Sequence, residues 1–258
     1  MGVILRYKDF LKTYKTRGHR LKHLKDYEKL FPIKSSPELS GIIADLIADG
    51  NLQGDPKWRF DFTSKSKKEL KRFEKEINNL FNITGKIRKC TTNKLSNSYN
   101  IGINCAPIAR ILFLCGVPLG QKVLTIFNIP LWIKKDKECF RIFCRRFFTC
   151  EGGIMHEKNR RIPQIRISLW KHDKLINNSL NFMKDLGYFM KKYFNIDSTI
   201  KIQKNKSKRK DGVFTQSIKM YILNKSVIRF YNQIGFESEK QKSLKAILNS
   251  SFHGKPLD

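Results

Sequence analysis

Two acidic residues stand out by what precedes and follows them. Asp49 closes the stretch Leu39-Ser40-Gly41-Ile42-Ile43-Ala44-Asp45-Leu46-Ile47-Ala48 and is followed by Gly50. Glu151 closes Phe143-Cys144-Arg145-Arg146-Phe147-Phe148-Thr149-Cys150 and is followed by Gly152 and Gly153. Each stretch is an apolar helical pattern ending in an acid and a glycine, and the two acids lie 102 residues apart. At a helix C-terminus the dipole is negative and carbonyls lack intrahelical partners, so a lone carboxylate there is poorly placed for stability. A carboxylate beside carbonyl oxygens suits a hard cation such as Mg²⁺. Two such ends side by side would join Asp49 and Glu151 in a site able to cut a phosphodiester. Either stretch alone reads equally well as a capped core helix. Two copies, each followed by a similar order of elements, argue for more.

The surrounding pattern supplies the elements that must position them. Ala44 and Ala48 share one helix face and allow close helix approach. Ser36 is an N-cap with Pro37 at the first helical position, and Gly50 suits a left-handed closing position. Trp58, Phe60 and Phe62 alternate with Lys57, Arg59 and Asp61 as a half-buried strand, and Leu70, Phe73, Ile77, Leu80 and Phe81 form a helical stripe over 67–81. Hairpin strands over 86–90 and 98–104 and a helix over 107–114 follow. The second half repeats the order: strands through 162–169, a helix over 173–194, a hairpin of 199–203 and 214–223 whose tip at 204–212 is intensely basic, and a helix over 226–233. The expected fold is α+β, two pseudo-symmetric αββαββα halves forming a saddle of antiparallel sheets with the two motif helices packed at the interface. The expected boundaries are a basic helical extension over 1–35, a first half over 36–133, a linker over 134–138 and a second half over 139–258. In the extension, Tyr7, Phe10, Leu11 and Tyr14 recur at helical spacing among Lys12, Lys15, Arg17, Arg20, Lys22 and Lys25, which suits either a solvated helix or a phosphate-contacting arm.

Lys and Arg number 52 against 22 acidic residues among 258, a net charge of +30, which calls for a polyanionic partner. Ribosomal proteins and membrane-surface binders share this signature. Nineteen Phe and eight Tyr indicate a packed core rather than a basic tail. No long apolar run or N-terminal signal pattern is present, so a cytoplasmic, prokaryotic-type protein is expected. The six cysteines lack C-x-x-C pairing and read as reduced thiols.

The stretch 39–50 resembles the motif that names the LAGLIDADG homing endonucleases, and 143–153 resembles a more altered copy. Cys115-Gly116-Val117-Pro118-Leu119-Gly120-Gln121-Lys122 with Ile129-Pro130-Leu131-Trp132-Ile133 resembles the segment that joins the two halves of archaeal-type, single-chain members. Ile234 to Gln241 resembles its second-half counterpart, with Lys240 118 residues after Lys122. The resemblance implies a monomer that hydrolyses both strands of a long asymmetric DNA target with Mg²⁺, for which Mn²⁺ can substitute. It places Asp49 and Glu151, with the main-chain carbonyls of Ala48 and Cys150, at the metals. It places Lys122 and Lys240 beside the scissile phosphates. Wet sheet faces carrying Lys57, Arg59, Arg88, Arg166, Lys201 and Lys219 would meet the major groove, with Lys206, Lys208 and Arg209 of the tip on phosphates. Arg146 and Cys150 stand where the first motif has Ala44 and Ala48, and Thr149 replaces a frequent acid. That departure favours the alternative, a non-cleaving binder of the same fold: an intron-RNA maturase or a repurposed DNA-binding protein.

Overall fold

The computed structural model describes residues 2–14, 23–91, 97–157 and 162–251. Lys15, Arg17, Arg20 and Lys22 of the expected arm lie outside the described residues. The chain divides into two compact units, Met1–Thr125 with Pro130–Cys139, and Ile126–Ile129 with Phe140–Asp258. No described helix is long and apolar enough to cross a membrane.

In the first unit β1 (Val3–Leu5) pairs antiparallel with β2 (Ile33–Lys34), flanking α1 (Tyr7–Leu11). The repeat then begins: α2 (Pro37–Ala48), β3 (Gly50–Gln53), β4 (Arg59–Ser64), α3 (Lys67–Phe81), β5 (Lys86–Lys89), β6 (Tyr99–Ile103) and α4 (Ala106–Leu114). Its sheet has the order β3-β4-β6-β5, with every neighbouring pair antiparallel. After a helical turn α5 (Leu131–Lys135), the second unit carries α6 (Lys137–Glu151), β7 (Gly152–Met155), β8 (Gln164–His172), α7 (Ile176–Phe194), β9 (Ser198–Lys208), β10 (Phe214–Ile222), α8 (Val227–Gln233) and α9 (Ser238–Ser251). Its order, β7-β8-β10-β9, is the same arrangement displaced by one repeat. The long helix over each sheet ends alike, on Asn82 at φ 52° and on Asn195 at φ 53°. Asparagine is one of the few residues that adopts this left-handed cap without a large penalty.

Each sheet buries one face under its helices. In the first unit Phe60, Phe62 and Ile101 point inward against Phe73 and Ile77 of α3, all at most 1% exposed, with Phe62 and Phe73 rings 4.9 Å apart. In the second, Ile165, Ile167, Ile218 and Met220 meet Phe182, Met183 and Leu186. Alternation along the strands leaves the opposite face wet.

Residues 7–14 of the N-terminal extension are packed into the first unit's core. Phe10 is fully buried and packs its ring 5.2 Å from Phe31. Arg110 of α4 lies between the Tyr14 ring at 4.3 Å and the Trp58 ring at 4.0 Å, donates to the Thr13 carbonyl at 2.5 Å and pairs with Asp55 at 3.3 Å. These contacts tie the extension to the turn between β3 and β4.

Candidate metal-binding helix ends and nucleic-acid interface

Ser36 opens α2 as the sequence implies, accepting the Leu39 N–H at 3.1 Å with Pro37 in the first turn. From Leu39 to Ala48 the helix is buried, and Asp49 at its end is exposed. The helix's other acid, Asp45, is fully buried and takes both Arg72 Nη atoms, at 2.7 and 3.1 Å. Glu69 and Glu76 also bond Arg72, at 3.0 and 2.9 Å. Burial works against this guanidinium, but Asp45, Glu76 and Glu69 outweigh it and hold its pKa above the ordinary value. Asp45 is thus a structural acid, and Asp49 is the one presented to solvent.

Gly50 corrects one expectation. It is not left-handed; it is already the first residue of β3. Its lack of a side chain matters for space: a Cβ would stand 2.7 Å from Leu46 Cα and 2.9 Å from the Asp61 carbonyl oxygen. Gly152 repeats this, with a Cβ falling 2.2 Å from the Phe148 carbonyl oxygen. In both units the helix turns so tightly into the first strand that only glycine passes, and the acid sits at the corner. Lys122 lies in a loop held to β3 by Gly120, whose N–H donates to the Leu52 carbonyl at 2.8 Å.

The end of α6 is built differently. Lys240 Nζ donates to the carbonyls of Thr149 and Gly152, the latter at 2.8 Å, so its ammonium bridges the residues on either side of Cys150 and Glu151. Thr149 Oγ1 donates to the Arg145 carbonyl at 2.7 Å and accepts the Glu237 N–H at 2.8 Å. The Arg146 guanidinium, 7% exposed, faces Glu237 at 3.6 Å within the same unit. The large cation at the position matching Ala44 is therefore balanced by Glu237, which immediately precedes α9, the helix that carries Lys240.

Strand register settles which residues share the wet faces. In the first unit Asn51, Asp61, Gly102 and Lys86 form one row, and Thr63, Asn100 and Arg88 the next. Asn100 Nδ2 donates to Asp61 Oδ1 at 3.1 Å and Thr63 Oγ1 at 3.0 Å, and Arg59 Nε donates to Gln53 Oε1 at 2.8 Å. A concave surface lined by Arg59, Asp61, Lys86, Arg88 and Asn100 results. Arg59 and Arg88 stand where expected. Lys57 does not: it lies in the turn before β4, because Trp58 at φ 34° and the Trp58 Nε1 bond to Asp55 end the strand at Arg59.

In the second unit Thr199, Tyr221 and Arg166 form a row, and Lys201, Lys219 and Ser168 the next. Two lysines directly opposite on a strand pair repel, so Lys201 and Lys219 concentrate positive charge on this face. The basic tip is corrected. β9 extends to Lys208, so Lys206 and Lys208 are strand residues and the turn spans only 209–213. Lys206 lies opposite Gln216, which lies opposite Lys171, 1% exposed in the core. Lys206 and Lys208 are therefore on the helix-covered side of the sheet, away from Lys201. Lys206 pairs with Asp173 at 2.9 Å and Arg209 with Asp211 at 3.0 Å. Asn51, Gln53, Asn100 and Trp170 of the wet faces were not singled out from sequence; their signal is the same polar step between buried neighbours that marks Asp61 in Phe60-Asp61-Phe62.

No family model matches the chain. It is similar over 90% of its length to the homing endonuclease I-WcaI bound to its DNA recognition sequence, covering 96% of that chain at 15% identity with a TM-score of 0.56. Mesophilic variants of the homing endonuclease I-DmoI match 81% of it, and 97% of their own chain, at 15% identity and a TM-score of 0.51. The fold is that of the LAGLIDADG homing endonucleases. In sequence, the chain is 25% identical over 247 residues to the replication factor C small subunit of Methanocaldococcus jannaschii, matching 90% of itself but 13% of that protein. It is 23% identical over 243 residues to the tRNA-splicing ligase RtcB of Methanopyrus kandleri, matching 88% of itself and 24% of that protein. The chain thus spans a quarter or less of the length of these relatives. On this LAGLIDADG fold Asp49 and Glu151 occupy equivalent corners, each between a helix and the first strand of its sheet.

Proposed function

We propose that the chain is a site-specific double-strand DNA endonuclease that hydrolyses phosphodiester bonds of a long asymmetric target with a divalent metal. The observation that carries this reading is the doubled corner: an acid at the same place in two repeats, each fixed by a glycine that tolerates no side chain. Among the described residues no three His, Cys, Asp or Glu side chains gather as a self-sufficient metal site. Mg²⁺ does not need one, since it binds through one or two carboxylates, waters and substrate phosphates. The donors fit: Asp49, Glu151 and the carbonyls of Ala48 and Cys150 are all hard oxygens, with Mn²⁺ able to substitute. The bound ion supplies an activated water and charge stabilisation at the leaving oxygen. Lys122 and Lys240 add positive charge beside the phosphates. The wet faces, with Arg59, Arg88, Arg166, Lys201 and Lys219, read the major groove, with Lys57 at their margin, and the protein acts as a monomer. Relatives of two different names match the same stretch over a small part of their length, which supports an activity belonging to the stretch itself.

A second reading is a non-cleaving binder, of intron RNA or of DNA. It is favoured by the end of α6, where the Lys240 ammonium already holds the Thr149 and Gly152 carbonyls. Incubation with Mg²⁺ or Mn²⁺ and a plasmid library of candidate intron-insertion sites separates the two. Linearisation that EDTA, Asp49→Asn or Glu151→Gln abolishes is expected. Tight binding without any cut in either metal establishes the binder instead.

A further inference from the structure

We propose that Trp170 is a specificity-determining contact that reads a thymine methyl group in the DNA target. The inference rests on the DNA-binding reading above. Along β8 the buried residues are Ile165, Ile167, Leu169 and Lys171, and between them Gln164, Arg166, Ser168, Trp170 and His172 face the wet side. Trp170 is 51% exposed. Register places it opposite Ser217, with Ser168 and Lys219 as the adjacent pair on one side and His172 and Thr215 on the other. Ser217 and Thr215 are themselves buried, at 2% and 4% exposed, while the indole stays half exposed. The other exposed large apolar residues of this sheet, Ile202 and Phe214, lie on its opposite side, since Ile202 pairs with buried Ile218 and Phe214 with Lys208.

An indole is amphipathic and is concentrated at binding interfaces rather than left in water. Around Trp170 the partner's charge is set by Arg166, Lys201 and Lys219, which call for phosphates. A sheet face in the major groove meets base edges, not base planes, so stacking is not available to it. The one apolar feature on those edges is the thymine C5 methyl. The first unit offers a contrasting surface of amides and a carboxylate, Gln53, Asp61 and Asn100, suited to hydrogen-bonding edges. The two units thus read different features of the target. Uracil lacks the methyl, so the same contact favours DNA over RNA of equal sequence.

The test selects binding sites for the full chain from a randomised DNA duplex library, then repeats the selection with Trp170→Ala and Trp170→Phe. Wild type and the Phe variant are expected to enrich thymine at one or two neighbouring positions of one half-site, and the Ala variant to lose that preference alone. In the wild-type site, replacing those thymines by deoxyuridine, which removes only the methyl, is expected to weaken binding about four- to tenfold, while Trp170→Ala is indifferent to it. An Ala variant that selects the same thymines and keeps the same deoxyuridine sensitivity overturns the assignment and leaves DNA binding intact. A library from which the wild type enriches nothing overturns both.

Discussion

Lys240 places its ammonium on the carbonyls of Thr149 and Gly152, at the negative end of α6. A cation there stabilises the helix end, so Lys240→Met should lower unfolding free energy by roughly 1–2 kcal/mol in a urea titration. If it also serves the phosphate, DNA cleavage by the variant should fall more than the folded fraction does, and a loss that only tracks folding would assign Lys240 to structure alone. Lys171 is a second lysine with two faces: 1% exposed, its ammonium lies 4.0 Å from the Phe127 ring centre, and burial pushes its pKa down to about 8. The sign follows from proton counts. Between about 8 and the ordinary lysine value near 10.4 the unfolded chain keeps a proton that the folded chain has shed, so this residue's contribution to stability rises with pH across that window. Below it the folded state carries the buried charge and the contribution is at its lowest. Lys171→Met should therefore be more stable than wild type at pH 7, by roughly 1–3 kcal/mol, with the gap closing toward pH 10 in parallel thermal melts. A gap independent of pH would mean that the charge costs nothing in place.

At the level of elements, the contact between α2 and α3 runs through Arg72, held by Asp45, Glu69 and Glu76. Arg72→Leu leaves the fully buried Asp45 without its bidentate partner, and removing one member of a buried pair costs about 3–5 kcal/mol. Chemical denaturation should show that loss, and Asp45→Asn in the same background should recover part of it. The elements that carry such packing were legible in the sequence: Leu70, Phe73 and Ile77 recur at helical spacing and bound the 67–81 helix, and both acid–glycine corners were visible as motifs. Elements without a buried stripe were not. β9 is an edge strand whose residues from Lys204 to Lys208 are all exposed, so its second half has no alternation to read and passed for a loop. α9 shows only Leu244 and Leu248 fully buried, and its first turn reads as polar loop. The β1–β2 pair is too short for any periodic signal. Gly50 was recognised as necessary but for the wrong reason: a Cβ there would stand 2.7 Å from Leu46 Cα because β3 leaves α2 so sharply, and 2.9 Å from the Asp61 carbonyl oxygen because β4 pairs alongside, and the second is a tertiary fact. The wet-face assignment needed register, since one residue of slip exchanges Lys201 for a core position.

For the whole molecule, a net charge of +30 makes any nucleic-acid complex strongly salt-dependent, and the face assignment makes that dependence local. Seven cations stand on or beside the wet faces: Lys57, Arg59, Lys86, Arg88, Arg166, Lys201 and Lys219. If each neutralises one phosphate, the plot of log affinity against log salt should have a slope of about −6. Lys201 of β9 and Lys219 of β10 lie opposite each other on this face, while Lys206 and Lys208 of β9 lie on the other, with Lys206 engaged by Asp173. Replacing Lys201 and Lys219 together by alanine should lessen the slope by about 2, because two counterion-releasing contacts are lost. It should not destabilise the free protein, since it removes a like-charge pair from adjacent strands. Replacing Lys206 and Lys208 removes the same formal charge from the same pair of strands, here from β9 alone. It should leave the slope within about 1 of wild type, as the diffuse field of two lysines facing away is screened over about 10 Å at 0.1 M salt. Fluorescence anisotropy on a labelled duplex, titrated with KCl for the two double variants, measures both slopes. Equal losses would mean that charge alone, and not the strand register, decides where the polyanion lies.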